Sequence, residues 1–273
     1  MIQLQWRKLV LVTLLLLVSA HVERAAEPAL TKAQIKQFML TAKVISAKHT
    51  KKGVTDPWRL TLSDGTTTHE AVFQAIDEHK TRNQLTNGDV EINFVDSYKY
   101  NIAGYELADL LGMDDMVPVH VERKWNGMIG SMSWVAPVKM DELDRKNRKI
   151  SVPALNLNAW NNQMHKIRVL DELIYDTDAN LTNVLVTEDW KLWRVDFTRA
   201  FRLHKNLKAA KNLERCDRAL LAKLKALSEA ELTQRTKNFL TKPEIQGVMA
   251  RRDKIVAYFQ KLIAEKGENE VLY

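Results

Sequence analysis

The chain has one cysteine, Cys216, among 273 residues. A lone thiol cannot close an internal disulfide, so stability must come from buried apolar surface rather than from cross-links. Set in an apolar helical stretch, Cys216 reads as a small core residue without a chemical role. Several enzyme signatures are also missing. The sequence contains no H-E-x-x-H, C-x-x-C, Walker A or G-x-G-x-x-G pattern, which leaves zinc-hydrolase, thiol-redox, P-loop and Rossmann chemistry without their residues. Charge of one sign is not concentrated either. The 41 Lys and Arg outnumber the 34 Asp and Glu for a net charge of +7, but no dense basic block is interleaved with aromatics, so no nucleic-acid partner is expected.

What is present is a globular composition, 45% hydrophobic and 27% charged, enough apolar material to bury a substantial core. The first twenty residues stand apart. Arg7 and Lys8 precede an apolar run from Leu9 to Val18, and Ser19-Ala20 follows with small residues, the pattern of a secretory signal peptide over residues 1–20. The run is about ten residues against the roughly twenty of a membrane span. An exported chain, periplasmic or secreted, with no stable membrane span after cleavage is therefore expected.

Apolar spacing predicts a helix from Thr31 to Ala47 with Thr31 as N-cap, then a hairpin made of "WRLTL", the turn Ser63-Asp64-Gly65 and "THEAVFQAID". Ala103, Leu107, Leu110 and Leu111 share one helical face over Ile102 to Leu111, and Gly112 suits the C-cap. "MVPVHVERKW", Asn126-Gly127 and "MIGSMSWV" form a second hairpin. Residues 138–158 read as a polar connector. Beyond Trp160 the chain is mainly helical, interrupted by the short strands "NVLVT" and "KLWRVDF" and broken at Lys242-Pro243. The expected architecture is α+β in two lobes, a β-rich N-lobe with one helix (residues 21–137) and a mainly helical C-lobe (138–273), with a cleft between them.

Chemistry concentrates in "DTDANLTN", which begins at Asp176, and in "VDFTRAF", which carries Asp196. Asp178 and Asn183 form D-x-x-x-x-N at the mouth of a strand, and the next strand brings Asp196 opposite. Phosphoryl transfer uses such a set, with a carboxylate for the acceptor hydroxyl and an Asn and an Asp for magnesium. In that reading Asp178 is the base and Asn183 and Asp196 hold the metal. Asp and Asn are also ordinary turn residues, so the pattern alone decides nothing. An EF-hand is a poor match, because Leu181 stands where its Gly belongs and Thr187 where its Glu belongs.

As an ordered set, "AVFQAID", "NIAGYELADLLGMDDMVPV", "GSMSWV", "VLDELIYDTDANLTN" and "VDFTRAF" resemble the atypical kinase group that includes the secreted Golgi casein-kinase-like proteins, the HipA toxins and the phosphatidylinositol 3/4-kinases. The resemblance runs from about Trp58 to Phe201. It implies a protein-kinase-like fold, ATP with Mg2+ or Mn2+ as cofactors, Asp178 as catalytic residue and Asn183 and Asp196 as metal ligands. It also implies a phosphate-binding region around Gln74, Asn101 and Gly65. There the chain departs from the group, with Gln74 in place of a lysine, Asn101 in place of its glutamate partner, and Asp178-Ala179-Asn180 in place of D-R-H. Losing both charges together avoids an unpaired buried ion, at the expense of a cation for the phosphates. Lys80 and Lys99 are candidate replacements. Arg199 and Arg202 are candidate contacts for substrate or for the loop after Asp196.

Two functions follow. One is a divergent exported phosphotransferase acting on an unknown phosphate acceptor. The other is an inactive pseudokinase that binds or regulates a protein partner.

Overall fold

The computed structural model describes residues 30–50, 57–84, 88 and 90–273; the expected signal peptide lies outside them. Thr31 caps the first helix, α1 (Lys32–Thr41), through a reciprocal box. Its hydroxyl accepts from Gln34 N at 3.3 Å while Gln34 Oε1 accepts from Thr31 N at 2.8 Å. The helix is shorter than the apolar spacing suggests. Ala42 turns extended, and β1 (Lys43–His49) pairs antiparallel with β2 (Trp58–Ser63). Val44 and Ile45 are β-branched, and the available sheet edge outweighs their helical spacing.

β2 returns through Gly65, at φ 95°, into β3 (Thr68–Gln74). This strand stops three residues before the end of "THEAVFQAID". A second hairpin of β4 (Asp77–Gln84) and β5 (Val90–Ser97) begins at Asp77 and forms a separate two-stranded sheet. Its first strand, "DEHKTRNQ", is exposed at all but one position. With no apolar alternation, it gave no periodic signal to read. α2 (Tyr98–Leu110) starts four residues earlier than expected because Ser97 caps it, and it ends before Gly112 at φ 69°. The N-terminal half thus carries α1 and α2 beside its strands, the two helices that the apolar spacing marks.

β6 (His120–Trp125) and β7 (Met128–Trp134) join through Asn126-Gly127, both at positive φ, as a two-residue hairpin turn requires. They complete a five-stranded sheet in the order β1-β2-β3-β7-β6. Leu60, Leu62, Ala71, Phe73 and Met132 are buried in it, and α1 and α2 pack on β6 and β7.

The connector is not featureless. It holds β8 (Met140–Asp141) and α3 (Glu142–Asn147), capped by Asp141, whose carboxylate accepts from Asp144 N at 2.8 Å. β8 joins β9 (Val184–Val186) and β10 (Leu192–Arg194) in a three-stranded sheet after the long α4 (Leu157–Ile174). Then come α5 (Arg218–Ala226), α6 (Glu229–Thr236), α7 (Lys242–Lys266) and α8 (Glu268–Val271). Pro243 sits in the first turn of α7, where its missing N–H costs nothing. Cys216 is buried, and burial pushes its thiol up to about 12, in keeping with a core role. Among the described residues no helix is long and apolar enough to cross a membrane.

Candidate functional site

Arg194, at the end of β10, organises the acidic stretch. Its side chain is fully buried. The guanidinium pairs with Asp176, meets Asp171 of α4 through Nε at 3.0 Å, and donates to the carbonyls of Val195 and Asp196. One cation therefore ties the end of α4, the start of the Asp-rich loop and the strand that leads to Asp196. Asp176 in turn accepts from Asp178 N at 2.8 Å, which fixes the backbone on which Asp178 sits. In the sequence Asp176 has no assigned task, whereas Asp178 is singled out by its spacing to Asn183. The fold makes the first a buried anchor and leaves the second exposed.

The loop after Asp178 is closed by its own polar groups. Asp178 O accepts from Asn180 N at 2.8 Å and from Asn183 Nδ2 at 3.2 Å, and Asn180 Oδ1 accepts from Thr182 N at 2.9 Å. Asn183 is buried, and its carbonyl accepts from Val195 N at 3.0 Å. Asn183 is thereby held one residue from Asp196 across the β9–β10 ladder. Asp196 adopts φ 62° and accepts from Thr198 Oγ1 at 3.2 Å. Burial pushes its carboxyl upward, against the opposing pull of that hydroxyl and of Arg194.

Asn183 and Asp196 both line a cleft of about 900 Å³, together with Gln74, Val72, Val135 and Leu185. Asp178 is not among the lining residues. Gln74, the last residue of β3, accepts from Asn101 Nδ2 at 2.6 Å, and the same Nδ2 lies 3.2 Å from Ser131 Oγ. Asn101 Oδ1 accepts from Phe197 N at 2.7 Å. A neutral amide pair thus links the sheet, α2 and the residue after Asp196. Gly104 lets this happen. A Cβ there would lie 2.8 Å from the Phe197 ring.

The turn at Gly65 is built differently from an anion cradle. Its donors are spent on Asp64, whose carboxylate accepts from Thr67 N at 2.7 Å, Thr66 N at 2.9 Å and Thr66 Oγ1 at 2.8 Å, and these bonds hold it below the usual carboxylate range. Gly65 N itself donates to Ser63 Oγ at 3.2 Å, and Gly65 does not line the cleft. The candidate lysines are engaged elsewhere, Lys99 with Asp77 at 2.8 Å and Lys80 with Glu78 at 2.9 Å. Arg199 and Arg202 both bind Glu91 of β5, at 2.9 and 2.8 Å. They clamp the hairpin onto the segment after Asp196 rather than facing the cleft. Arg59 is the one Lys or Arg among the described lining residues, and Glu70 takes it at 2.6 Å.

No protein-family model matches the sequence, and no curated protein matches it either. A solved structure does. The crystal structure of a Helicobacter pylori proinflammatory kinase, CtkA, superposes with a TM-score of 0.51 over 84% of this chain and 98% of that one, at 12% identity. The fold is kinase-like. At that identity the likeness concerns the arrangement of strands and helices, and the chemistry has to be argued from the side chains just described.

Proposed function

We propose that this chain is a divergent, exported phosphotransferase that uses ATP with Mg2+ or Mn2+. The observation that carries the reading is the convergence of Asn183 and Asp196 on one cleft, with the Asp178 loop fixed beside them by the Asp176–Arg194 pair.

The donor set suits a hard cation. Asp196 contributes a carboxylate and Asn183 an amide oxygen whose nearest partner, Thr182 Oγ1, is 3.5 Å away, while its nitrogen is turned toward Asp178 O. Among the described residues no three His, Cys, Asp or Glu side chains group into a closed metal cage, and magnesium prefers few protein oxygens and several waters. A cation held there would neutralise charge on the nucleotide phosphates. Asp178, exposed on the loop beside that cleft, would take the proton of an acceptor hydroxyl as its oxygen bonds to the γ-phosphorus and the bond to the departing nucleoside diphosphate breaks. Asp176 and Arg194 keep that carboxylate's backbone in place.

The Gln74–Asn101 amide pair favours the second reading, a pseudokinase that binds a protein partner, since it supplies no cation to the phosphates. Melting of the full chain with ATP and metal decides between them. At a hundredfold excess over its dissociation constant, bound nucleotide stabilises by about 2.7 kcal/mol. The enzyme reading expects a metal-dependent rise that Asp196→Ala abolishes, and phosphate transfer that Asp178→Ala abolishes while keeping the rise. No rise with any nucleotide and metal would favour the binding protein.

A further inference from the structure

The hairpin of β4 and β5 has one protected edge and one open edge. Its strands form a sheet of their own, so each turns a row of backbone groups to its outer side. β4 carries polar or charged residues at every position, which blunts a free edge against pairing. β5 has no such protection, with Val90 40% and Ile92 62% exposed. Away from β4 it is closed only toward its end, where Ser97 N donates to Thr198 O at 2.9 Å and Val95 O accepts from Arg202 Nη1 at 2.8 Å. Outside the ladder with β4, no backbone–backbone hydrogen bond reaches residues 90–93 among the described residues.

That stretch borders a groove of about 640 Å³, and Val90, Glu91, Ile92 and Asn93 all line it. Successive strand residues point to opposite faces, so four consecutive lining residues set the edge of β5, rather than one face, along the groove. Leu203, 51% exposed, and Pro243 in the first turn of α7 add to the apolar lining. The acids of the groove are already engaged. Glu91 is held by Arg199 and Arg202, and Glu244 accepts from Thr241 N at 2.6 Å and Thr241 Oγ1 at 2.7 Å. The cations beside it are not. Arg82 stands opposite Ile92 in the ladder, Lys205 follows His204, and Lys242 lies between Thr241 and Pro243. All three are exposed, and none has an ion-pair partner among the described residues.

We propose that an extended segment of a protein partner, with apolar and acidic side chains in alternation, binds along β5 as a third strand of the hairpin. The unpaired backbone of residues 90–93 supplies the ladder, the groove takes the apolar side chains, and Arg82, Lys205 and Lys242 meet the acidic ones. A second copy of this chain is a poorer occupant. Its own β5 lies against its own groove, and Glu91, the one acid on the open stretch, is engaged by Arg199 and Arg202. The groove shares no lining residue with the cleft of Asn183 and Asp196, so the site stands whether or not that cleft transfers phosphate.

The test is fluorescence anisotropy of labelled short peptides that alternate Val or Ile with Glu, titrated with the full chain. The wild type is expected to bind them at micromolar concentration. Replacing Glu by Lys in the peptides, or methylating alternate backbone nitrogens in either register, should each weaken binding by about tenfold or more. Ile92→Ser and Leu203→Ser change exposed positions outside the core, and each should also weaken binding by about tenfold. Arg82→Glu with Lys242→Glu should reverse the preference between the Glu and Lys peptides. Absence of binding by the wild type at millimolar peptide overturns the proposal. So does unchanged binding by Ile92→Ser and Leu203→Ser, or equal binding of the methylated peptides, since neither result is compatible with strand addition at β5. A dimer in sedimentation that Ile92→Ser dissolves, with no peptide bound, gives the groove to a second copy and overturns it as well. Asp196→Ala should leave peptide binding unchanged while it abolishes the metal-dependent ATP response, so this proposal and the phosphotransferase reading fail separately.

Discussion

Asn101 hydrogen-bonds to Gln74 Oε1 with its nitrogen, at 2.6 Å, and to Phe197 N with its oxygen, at 2.7 Å. Both ends of one carboxamide are used, so the side chain reports on the sheet and on the Asp196 segment together. An amide does this without charge, whereas an ion pair would need both members present.

Exchanging the pair therefore gives a cycle with a defined sign. Gln74→Lys sets an ammonium against an amide nitrogen, and Asn101→Glu buries a carboxylate opposite an amide. Each single change is expected to destabilise by about 1–3 kcal/mol. The double variant should recover more than the sum of the singles predicts, with a coupling above about 1 kcal/mol in denaturant melts. If the cleft takes a nucleotide, the double variant should also bind ATP at least tenfold more tightly. Additive singles would mean that the two positions do not meet.

Asp176→Ala is expected to cost about 3–5 kcal/mol, because it leaves the fully buried Arg194 with Asp171 as its one remaining carboxylate partner. It also removes the acceptor for Asp178 N. Hydrogen exchange should then speed up at residues 177–183 before the rest of the molecule opens. Asp176→Leu combined with Arg194→Met should regain stability relative to Asp176→Ala but not protect the loop, since apolar replacements restore packing without restoring that hydrogen bond.

Glu91 bridges Arg199 and Arg202, and both guanidiniums also lie over the Phe94 ring, at 5.1 and 5.8 Å. Glu91→Ala should cost about 1–2 kcal/mol globally, the range for a partly buried charged hydrogen bond. Its larger effect should be local, as faster proteolysis and exchange at residues 90–97 and 198–204. Equal protection in variant and wild type would show that Ser97, Phe94 and the Arg202 bond to Val95 O hold the hairpin without Glu91.

The parts of the fold that were legible in the sequence had periodicity or punctuation. Alternation in "WRLTL" and Asn126-Gly127 located the two hairpins of the main sheet, and Thr31 located the start of α1. Of the three residues singled out in the acidic cluster, Asn183 and Asp196 line one cleft and Asp178 does not. The β4–β5 hairpin was not legible because "DEHKTRNQ" buries almost nothing, and its pairing is a tertiary property. The anchoring task of Asp176 could not be read either, since the buried Arg194 that it pairs with arrives from β10.

His120, at the start of β6, supplies the pH dependence. It is 4% exposed, its Nδ1 lies 2.7 Å from Pro118 O, and burial pushes its imidazolium down to about 4. An unfolded chain protonates this residue near 6.5. Between those values the unfolded state carries one more proton than the folded state, so His120 favours folding above about pH 6.5 and loses that contribution as the pH falls toward 4. The loss is about 1.4 kcal/mol per pH unit, or roughly 3 kcal/mol across the window. Asp171 acts in the opposite sense. Burial raises its carboxyl to about 6, so the folded state takes up a proton there on acidification and gains stability below that pH. The wild-type curve mixes the two contributions, and the comparison with His120→Asn separates them. The stability difference between wild type and His120→Asn should shrink by about 3 kcal/mol from pH 7 to pH 4 in urea melts. A difference independent of pH would mean that His120 titrates normally, with solvent reaching the imidazole through the cleft that it lines.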